Sequence, residues 1–229
     1  MKRAFSIFAV TLLLAGCSPE APAASPPLGS ASPVAVQPTP ARPVALRVVP
    51  EESEARYRTR EQLATLPLPN EVLGTTKDVM GSVALTGGSF DRERSKITID
   101  LRNLKTDRIQ RDRFVQRELL KTAEFQHATF IPKELKGING GLPTSGEVHI
   151  EVVGDFTLMD KTRELTWKGT AKFDEAGVMV NLSTTTSFAD MGLTKPSVAI
   201  VLSVDDNFTL EVDLKLVQED LGGGAGRTP

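Results

Sequence analysis

The 229-residue chain contains little of what catalysis or metal binding requires. It has one cysteine and two histidines, and His127 and His149 stand far apart in the sequence. It has no CxxC pair, HExxH motif, P-loop or GxSxG sequence. These absences leave no disulfide within the chain, no metal-ligand spacing and no recognisable nucleophile. We therefore expect a protein that is not an enzyme and has no cofactor.

The chain also lacks a strong charge of either sign. Its formal net charge is -2, and its lysines and arginines are interleaved with acidic residues rather than clustered. A nucleic-acid partner requires a concentrated basic surface, so this composition argues against one. Hydrophobic residues make up 40% and charged residues 24% of the chain, as in an ordinary globular protein.

The amino terminus has the organisation of an export signal. Two basic residues, Lys2 and Arg3, precede an apolar stretch at residues 4–14. This stretch is shorter than the roughly 20 residues that cross a bilayer, so it indicates a signal peptide at residues 1–16 rather than a permanent anchor.

The signal ends directly before the only cysteine, in the sequence Leu14-Ala15-Gly16-Cys17. This sequence resembles the lipobox of bacterial lipoproteins, in which the cysteine carries a diacylglycerol thioether and usually a further acyl chain. The resemblance implies a membrane anchor at Cys17. Ser18 follows in place of Asp, which implies sorting to the outer membrane, facing the periplasm, if the organism has one. The alternative is an ordinary signal peptide with an incidental cysteine.

Two segments are expected to remain unfolded. Nine of the 15 prolines fall within residues 18–50, with few charged residues between them. Such a composition predicts that residues 17–50 form an extended, disordered tether behind the lipidated cysteine. The glycine-rich residues 219–229 are expected to form a flexible tail.

Residues 51–218 alternate between apolar and polar positions, which predicts antiparallel strands with one buried face. Clear examples are residues 147–159 and 208–216, and strands are also expected at residues 79–86 and 96–101, with a connection at residues 91–95. The alternation places twelve side chains on the inward face: Val148, Ile150, Val152, Phe156, Leu158, Leu165, Trp167, Phe173, Phe208, Leu210, Val212 and Leu214.

One stretch departs from this alternation and predicts a short helix. Asp112 can accept hydrogen bonds from the free amides of a first turn, so we expect it to cap a helix that runs to about Leu120. Phe114, Val115 and Leu119 would form its apolar side. The fold class is therefore all-β with one short helical insertion, and the strands must close into a barrel or pair as a sandwich.

Five segments, in this order along the chain, resemble sequences of the YceI-like family of exported bacterial proteins. They are residues 95–106 (SKITIDLRNLKT), Arg111-Asp112, residues 128–132 (ATFIP), 153–158 (VGDFTL) and 188–193 (FADMGL). The similarity covers roughly residues 55–218. It implies a lipocalin-like antiparallel β-barrel, which in some family members holds a polyisoprenoid or another long-chain amphiphile.

Two functions follow from these expectations. In the first, the twelve inward residues line a site for a polyisoprenoid, a quinone tail or a fatty acyl chain. In the second, the same residues fill a closed core, and the protein is a structural or interaction module of the cell envelope. The sequence leaves the oligomeric state open, and a homodimer is one of the options.

Overall fold

Eleven antiparallel β-strands account for most of residues 43–138 and 140–219, which are the residues that the computed structural model describes. The strands are β1 (Val44–Val48), β2 (Glu54–Leu63), β3 (Asn70–Thr76), β4 (Val79–Thr86), β5 (Ser89–Asp100), β6 (His127–Lys136), β7 (Gly146–Leu158), β8 (Lys161–Asp174), β9 (Gly177–Ser187), β10 (Val201–Val204) and β11 (Asn207–Glu219). A 3-10 turn covers Pro50–Glu52, α1 covers Ile109–Phe114, and a π-helical turn follows at Val115–Leu119.

The strands close into an eight-stranded barrel because three pairs of consecutive strands each act as one interrupted strand. Strands β1 and β2 both pair with β11, through residues 216–219 and 209–213 of that strand. Strand β3 pairs with β2, and β4 pairs with β1. Strand β2 also pairs with both β10 and β11. Because the sheet closes on itself within the described residues, the fold is a barrel rather than a sandwich.

The barrel has two distinguishable ends. One, which we call the turn end, carries the start of β1, the Gly87-Gly88 turn and the turn between β8 and β9. Both glycines of the first turn have positive φ, 60° and 85°, as a tight hairpin requires. The other, which we call the helix end, carries α1, the β7–β8 turn and the connection between β9 and β10.

The predicted boundary between tether and domain at residue 51 is wrong. Residues Val44–Val48 form β1, and Leu46 and Val48 are buried in the core. Pro43 and Pro50, two of the nine prolines that suggested a tether, only flank this short strand. The signal peptide, Cys17 and the rest of the predicted tether lie outside the described residues, as do the last ten residues of the tail. The strand pairings among residues 43–219 are sufficient to close the barrel, so we expect a protein that starts at Pro43 to fold.

The connection predicted at residues 91–95 is also wrong, because β5 continues through it. A β-bulge shifts the register of β4 against β5 between Ser82 and Ala84. The buried hydroxyl of Ser95 accepts a hydrogen bond from the Ala84 amide at 2.9 Å and donates one to the Ala84 carbonyl at 3.2 Å. The Ser95 side chain thereby satisfies backbone groups that the bulge removes from the ladder.

Asp112 does not cap the helix, which begins earlier than predicted. α1 starts at Ile109 and is preceded by Arg108, and no side chain caps its amino terminus. The Asp112 carboxylate instead accepts hydrogen bonds from the amide and the hydroxyl of Thr106, both at 2.7 Å. It therefore ties the loop that enters the helix to the helix itself.

Candidate ligand-binding site

Two apolar cavities lie along the interior of the barrel, each with a volume of about 100 Å³. The turn-end cavity is lined by residues such as Leu46, Leu85 and Phe173. The helix-end cavity is lined by residues such as Leu158, Phe208 and Leu120. The alternation of each strand produces both, because the inward positions of neighbouring strands point toward the same axis.

Four side chains separate the two cavities, since they line both: Ile99, Phe156, Trp167 and Val212. Trp167 is the largest of them and is only 4% exposed. Its ring meets those of Phe156 and Phe130 edge to face, with centroids 6.1 and 5.8 Å apart. These four residues form the partition between the two cavities.

The helix-end cavity is roofed by residues of the π-helical turn that follows α1 and by Leu120 directly after it. Val115, Leu119 and Leu120 contribute to its lining. The roof is held by an ion pair between Arg111 of α1 and Glu61 of β2, whose side chains are 12% and 9% exposed. Gln116 adds a hydrogen bond to the Leu104 carbonyl at 3.0 Å. Polar contacts at the margin thus fasten an apolar cover over this end of the barrel.

A third space, of about 670 Å³, lies outside the roof as a groove between α1 and the β9–β10 connection. The groove and the helix-end cavity share five lining residues: Tyr57, Thr59, Val115, Leu119 and Phe188. The shared residues separate the interior from the outside by one layer of side chains. The groove is therefore adjacent to the interior of the barrel at the helix end.

Two polar atoms of the lining are buried without a hydrogen-bond partner in the described part of the chain. They are the hydroxyl of Tyr57 and Nε1 of Trp167. Burial raises the pKa of the Tyr57 hydroxyl above its ordinary value, against the opposing effect of nearby Arg111. Tyr57 is therefore neutral at physiological pH and can donate a hydrogen bond to a ligand oxygen.

The structure turns all twelve sequence-predicted residues toward the core. Nine are buried, and Val148, Leu165 and Leu210 are partly buried and packed against the core. Ten line one or both cavities, whereas Val148 and Leu165 line neither. Their inward orientation follows the alternation, and their role in holding a ligand stays a prediction.

The sequence did not point to the residues at the margin of the roof. Glu61 and Arg111 are far apart in the chain, and β2 carries Tyr57, Thr59 and Glu61 on its inward face, so its apolar alternation is weak. The residues at the margin of the roof could have been located from polar side chains at inward positions near the end of a barrel strand.

Within residues 43–138 and 140–219, no cluster of three or more histidine, cysteine, aspartate or glutamate side chains could hold a metal ion. His149 is exposed, and His127 lies at the surface with Nε2 3.8 Å from the Asp100 carboxylate. No helix in the described part of the chain has the length and hydrophobicity needed to cross a membrane.

A closed eight-stranded antiparallel barrel with a largely apolar interior is a lipocalin-like fold. The profile of the YceI-like domain matches residues 46–216, most of the chain, and the chain belongs to this family. A search of curated protein sequences found no match.

Three solved structures share the fold at low sequence identity. One is described as a polyisoprenoid binding domain from Saccharophagus degradans implicated in plant cell wall breakdown, with a TM-score of 0.60, 15% identity, and coverage of 76% of this chain and 98% of that one. Burkholderia cenocepacia BcnA gives a TM-score of 0.52 at 14% identity, covering 74% and 99%. The Campylobacter jejuni YCEI protein gives 0.51 at 17% identity, covering 69% and 91%. At these identities the likeness shows the fold alone.

Proposed function

We propose that the barrel binds one long-chain amphiphile, such as a polyisoprenoid, a quinone tail or a fatty acyl chain. The observation that carries this proposal is the pair of apolar cavities on one axis, separated by the four residues of the partition. A chain that moved Trp167 and Phe156 aside would occupy both cavities at once. No catalytic step is part of this proposal.

The apolar lining supports a chain-like ligand on energetic grounds. Each methylene that leaves water contributes about 0.8 kcal/mol. Part of this gain offsets the loss of translational and conformational freedom on binding. A long chain therefore binds well with few hydrogen bonds, and the site discriminates poorly between chains of similar width. The description of the Saccharophagus degradans domain as polyisoprenoid binding is consistent with this ligand class.

The polar groups of the helix end favour one orientation of the ligand. Tyr57, Glu61 and Arg111 lie there, whereas the residues that line the turn-end cavity are apolar. The chain would therefore lie toward the turn end and the polar head toward the roof. The unpartnered Tyr57 hydroxyl would donate to an oxygen of that head.

A second function is favoured by the size of the cavities. Ligand pockets commonly measure roughly 300–1,000 Å³, which is more than the two cavities together provide. On this reading the barrel is closed by its own side chains, and the protein is a structural or interaction module of the envelope.

Lipid uptake by the protein starting at Pro43 separates the two functions. Native mass spectrometry of the purified protein, followed by extraction, should show a bound lipid. Titration of the delipidated protein with geranylgeraniol should change the fluorescence of Trp167, the only tryptophan, and saturate near one ligand per barrel. If neither measurement shows a lipid, the interaction module is the better proposal.

We further propose that the mature protein is a lipoprotein of the cell envelope, attached through lipid on Cys17. The lipobox-like sequence and the short apolar stretch before it support this anchor. The lack of Asp at position 18 supports the outer membrane, with the barrel in the periplasm, if the organism has two membranes.

A further inference from the structure

Most of the large apolar side chains that the described residues expose are gathered at the helix end. Six of the seven are Leu66, Leu68, Ile109, Val198, Ile200 and Leu202, and the seventh, Met80, lies on the barrel wall. Leu68 and Leu202 are the most exposed, at 71% and 67%. Scattered apolar side chains are normal at a protein surface, but a cluster at one end indicates a contact surface.

The backbone brings five of these residues together. Leu66 and Leu68 lie in the β2–β3 connection, and Val198, Ile200 and Leu202 lie in and before β10. The amide of Ala64 donates to the carbonyl of Ile200 at 2.9 Å, and Val201 pairs with Leu63. The two segments therefore form one apolar edge that projects beyond the end of the barrel. We call this set, together with Ile109, the apolar rim.

The apolar rim borders the groove that adjoins the helix-end cavity. Val198 and Ile200 line one wall of the groove, and Arg108 and Gln110, which flank Ile109, line the opposite wall. Apolar residues of the groove, among them Val201, Val204 and Phe188, connect the rim with the helix-end cavity, which Phe188 also lines.

Exposed cations follow Ile109 of the rim in the same helical segment. Residues 107–121 contain five basic and three acidic residues, although the whole chain has a net charge of -2. Arg113, Arg117 and Lys121 are exposed, and none of them makes an ion pair within residues 43–138 and 140–219. Exposed aliphatic side chains next to free cations form the surface that an anionic bilayer attracts, because the cations meet lipid headgroups while the aliphatic groups enter the acyl boundary.

We propose that the apolar rim docks the helix end of the barrel onto a bilayer that contains anionic lipids. The biological purpose of this surface rests on the lipid-binding function proposed above. With the rim on the bilayer, a lipid chain leaving that bilayer would reach the groove without crossing water. The docking itself is a separate physical property and is measured separately.

The test is flotation of the protein starting at Pro43, which carries no Cys17 anchor, with two kinds of vesicle. We expect it to float with vesicles of phosphatidylcholine and phosphatidylglycerol, and to float less with phosphatidylcholine alone or at high salt. The double substitution Leu68→Ser and Leu202→Ser should lower the bound fraction about tenfold or more. Neither residue lines a cavity, so geranylgeraniol uptake should be unchanged.

Two controls match these variants. Met80→Ser removes an exposed apolar side chain from the barrel wall and should float like the unchanged protein. The pair Arg113→Gln and Arg117→Gln should reduce binding to the anionic vesicles, whereas Arg94→Gln with Lys172→Gln, which removes two exposed cations elsewhere, should not.

The flotation results test the docking proposal directly. If the unchanged protein does not float, or if the Leu68 and Leu202 variant floats as well as it does, the rim is not a membrane surface. If the protein elutes as a dimer that the same variant dissociates, and does not float, the rim is covered by a second copy and the proposal is overturned. If the protein takes up lipid but does not float, the docking proposal fails. If it floats but takes up no lipid, the lipid-binding proposal fails.

Discussion

The ring of Trp167 stands edge to face against Phe156, with centroids 6.1 Å apart, and this pair forms the centre of the partition between the two cavities. The pair joins neighbouring strands β7 and β8, so its position is fixed by the register of the sheet.

Filling the turn-end cavity should block the ligand. Ala171 is 2% exposed and lines that cavity, so Ala171→Trp places a large ring where the chain would lie. We expect geranylgeraniol affinity to fall by at least about tenfold, with a loss of about 1–3 kcal/mol in the free energy of unfolding from overpacking. Lys172→Trp adds the same ring on the outer face and should leave binding intact. Equal binding by both variants would contradict a ligand in this cavity.

Removing part of the partition should make stability depend on lipid. Phe156→Ala joins the two cavities and should lower the free energy of unfolding by about 3–5 kcal/mol. Because the enlarged space fits a chain, added geranylgeraniol should restore more stability to this variant than to the unchanged protein, as measured by urea denaturation. Val79→Ala opens space away from both cavities and should show no such additional rescue. A Phe156→Ala protein that is insensitive to lipid would argue against a chain site.

The ion pair between Glu61 and Arg111 should control the exchange of ligand. Glu61→Gln removes the charge that holds the roof and leaves Arg111 with Asp107 as its remaining partner. We expect ligand release in stopped-flow fluorescence to become about tenfold faster. The double variant Glu61→Leu and Arg111→Leu avoids an uncompensated buried charge and should keep the stability closer to that of the unchanged protein. Unaltered release in both variants would show that the roof does not open there.

Acid should weaken the seam between β2 and β11. Burial alone would raise the pKa of Asp213, but hydrogen bonds from Arg56 and Asn181 hold this pKa below its usual value. Burial would also raise the pKa of Glu211, but hydrogen bonds from Arg56 and Arg58, at 3.0 and 2.7 Å, hold this pKa below its usual value. Carboxylates with lowered pKa values stabilise the fold above their unfolded pKa of about 4, and this contribution is lost as the pH falls through the folded pKa.

The free energy of unfolding should therefore decrease between about pH 5 and pH 2. Arg56→Met should lower it by about 1–3 kcal/mol at neutral pH and should flatten its dependence on acid. Arg47→Met removes an exposed arginine of β1 and serves as the control. If both variants show the same pH profile as the unchanged protein, the seam does not account for the acid sensitivity.

The proposed anchor makes a prediction that is independent of the barrel. Cys17→Ala should abolish metabolic labelling with radioactive palmitate and should leave unprocessed precursor or a protein released from the membrane. Changing Ser18→Ala should leave labelling intact and serves as the matched control. Unchanged labelling and fractionation of the Cys17 variant would remove the lipoprotein proposal.

The strands that the sequence predicted well are those with one uniformly apolar face. Residues 79–86 correspond to β4, and the alternation at residues 147–159 and 208–216 corresponds to β7 and β11. Strand β1 was missed because two prolines surround five residues, which is too short a stretch to show a period. Strand β2 was missed because Tyr57, Thr59 and Glu61 point inward, and their polarity obscures the alternation.

The interior of the candidate site could be predicted and its roof could not. Inward positions follow from the period of two, so the twelve residues were assigned to the correct face. The pairing of Glu61 with Arg111 depends on how the chain crosses the barrel end, and local sequence does not specify that path. Asp112 was assigned to a cap because its residue type suits one, but the helix begins before it and the carboxylate binds Thr106 instead.

The first strand enters the barrel at a defined end. Val44 pairs with Leu85 beside the Gly87-Gly88 turn, so the chain enters the barrel at the end opposite α1. If Cys17 is anchored, residues 17–42 would span about 80 Å when fully extended at polyproline dimensions. The groove opens at the other end of the barrel from this point of entry. The length of residues 17–42, rather than the fold, would decide whether the protein exchanges ligand with its own membrane or with a surface across the gap.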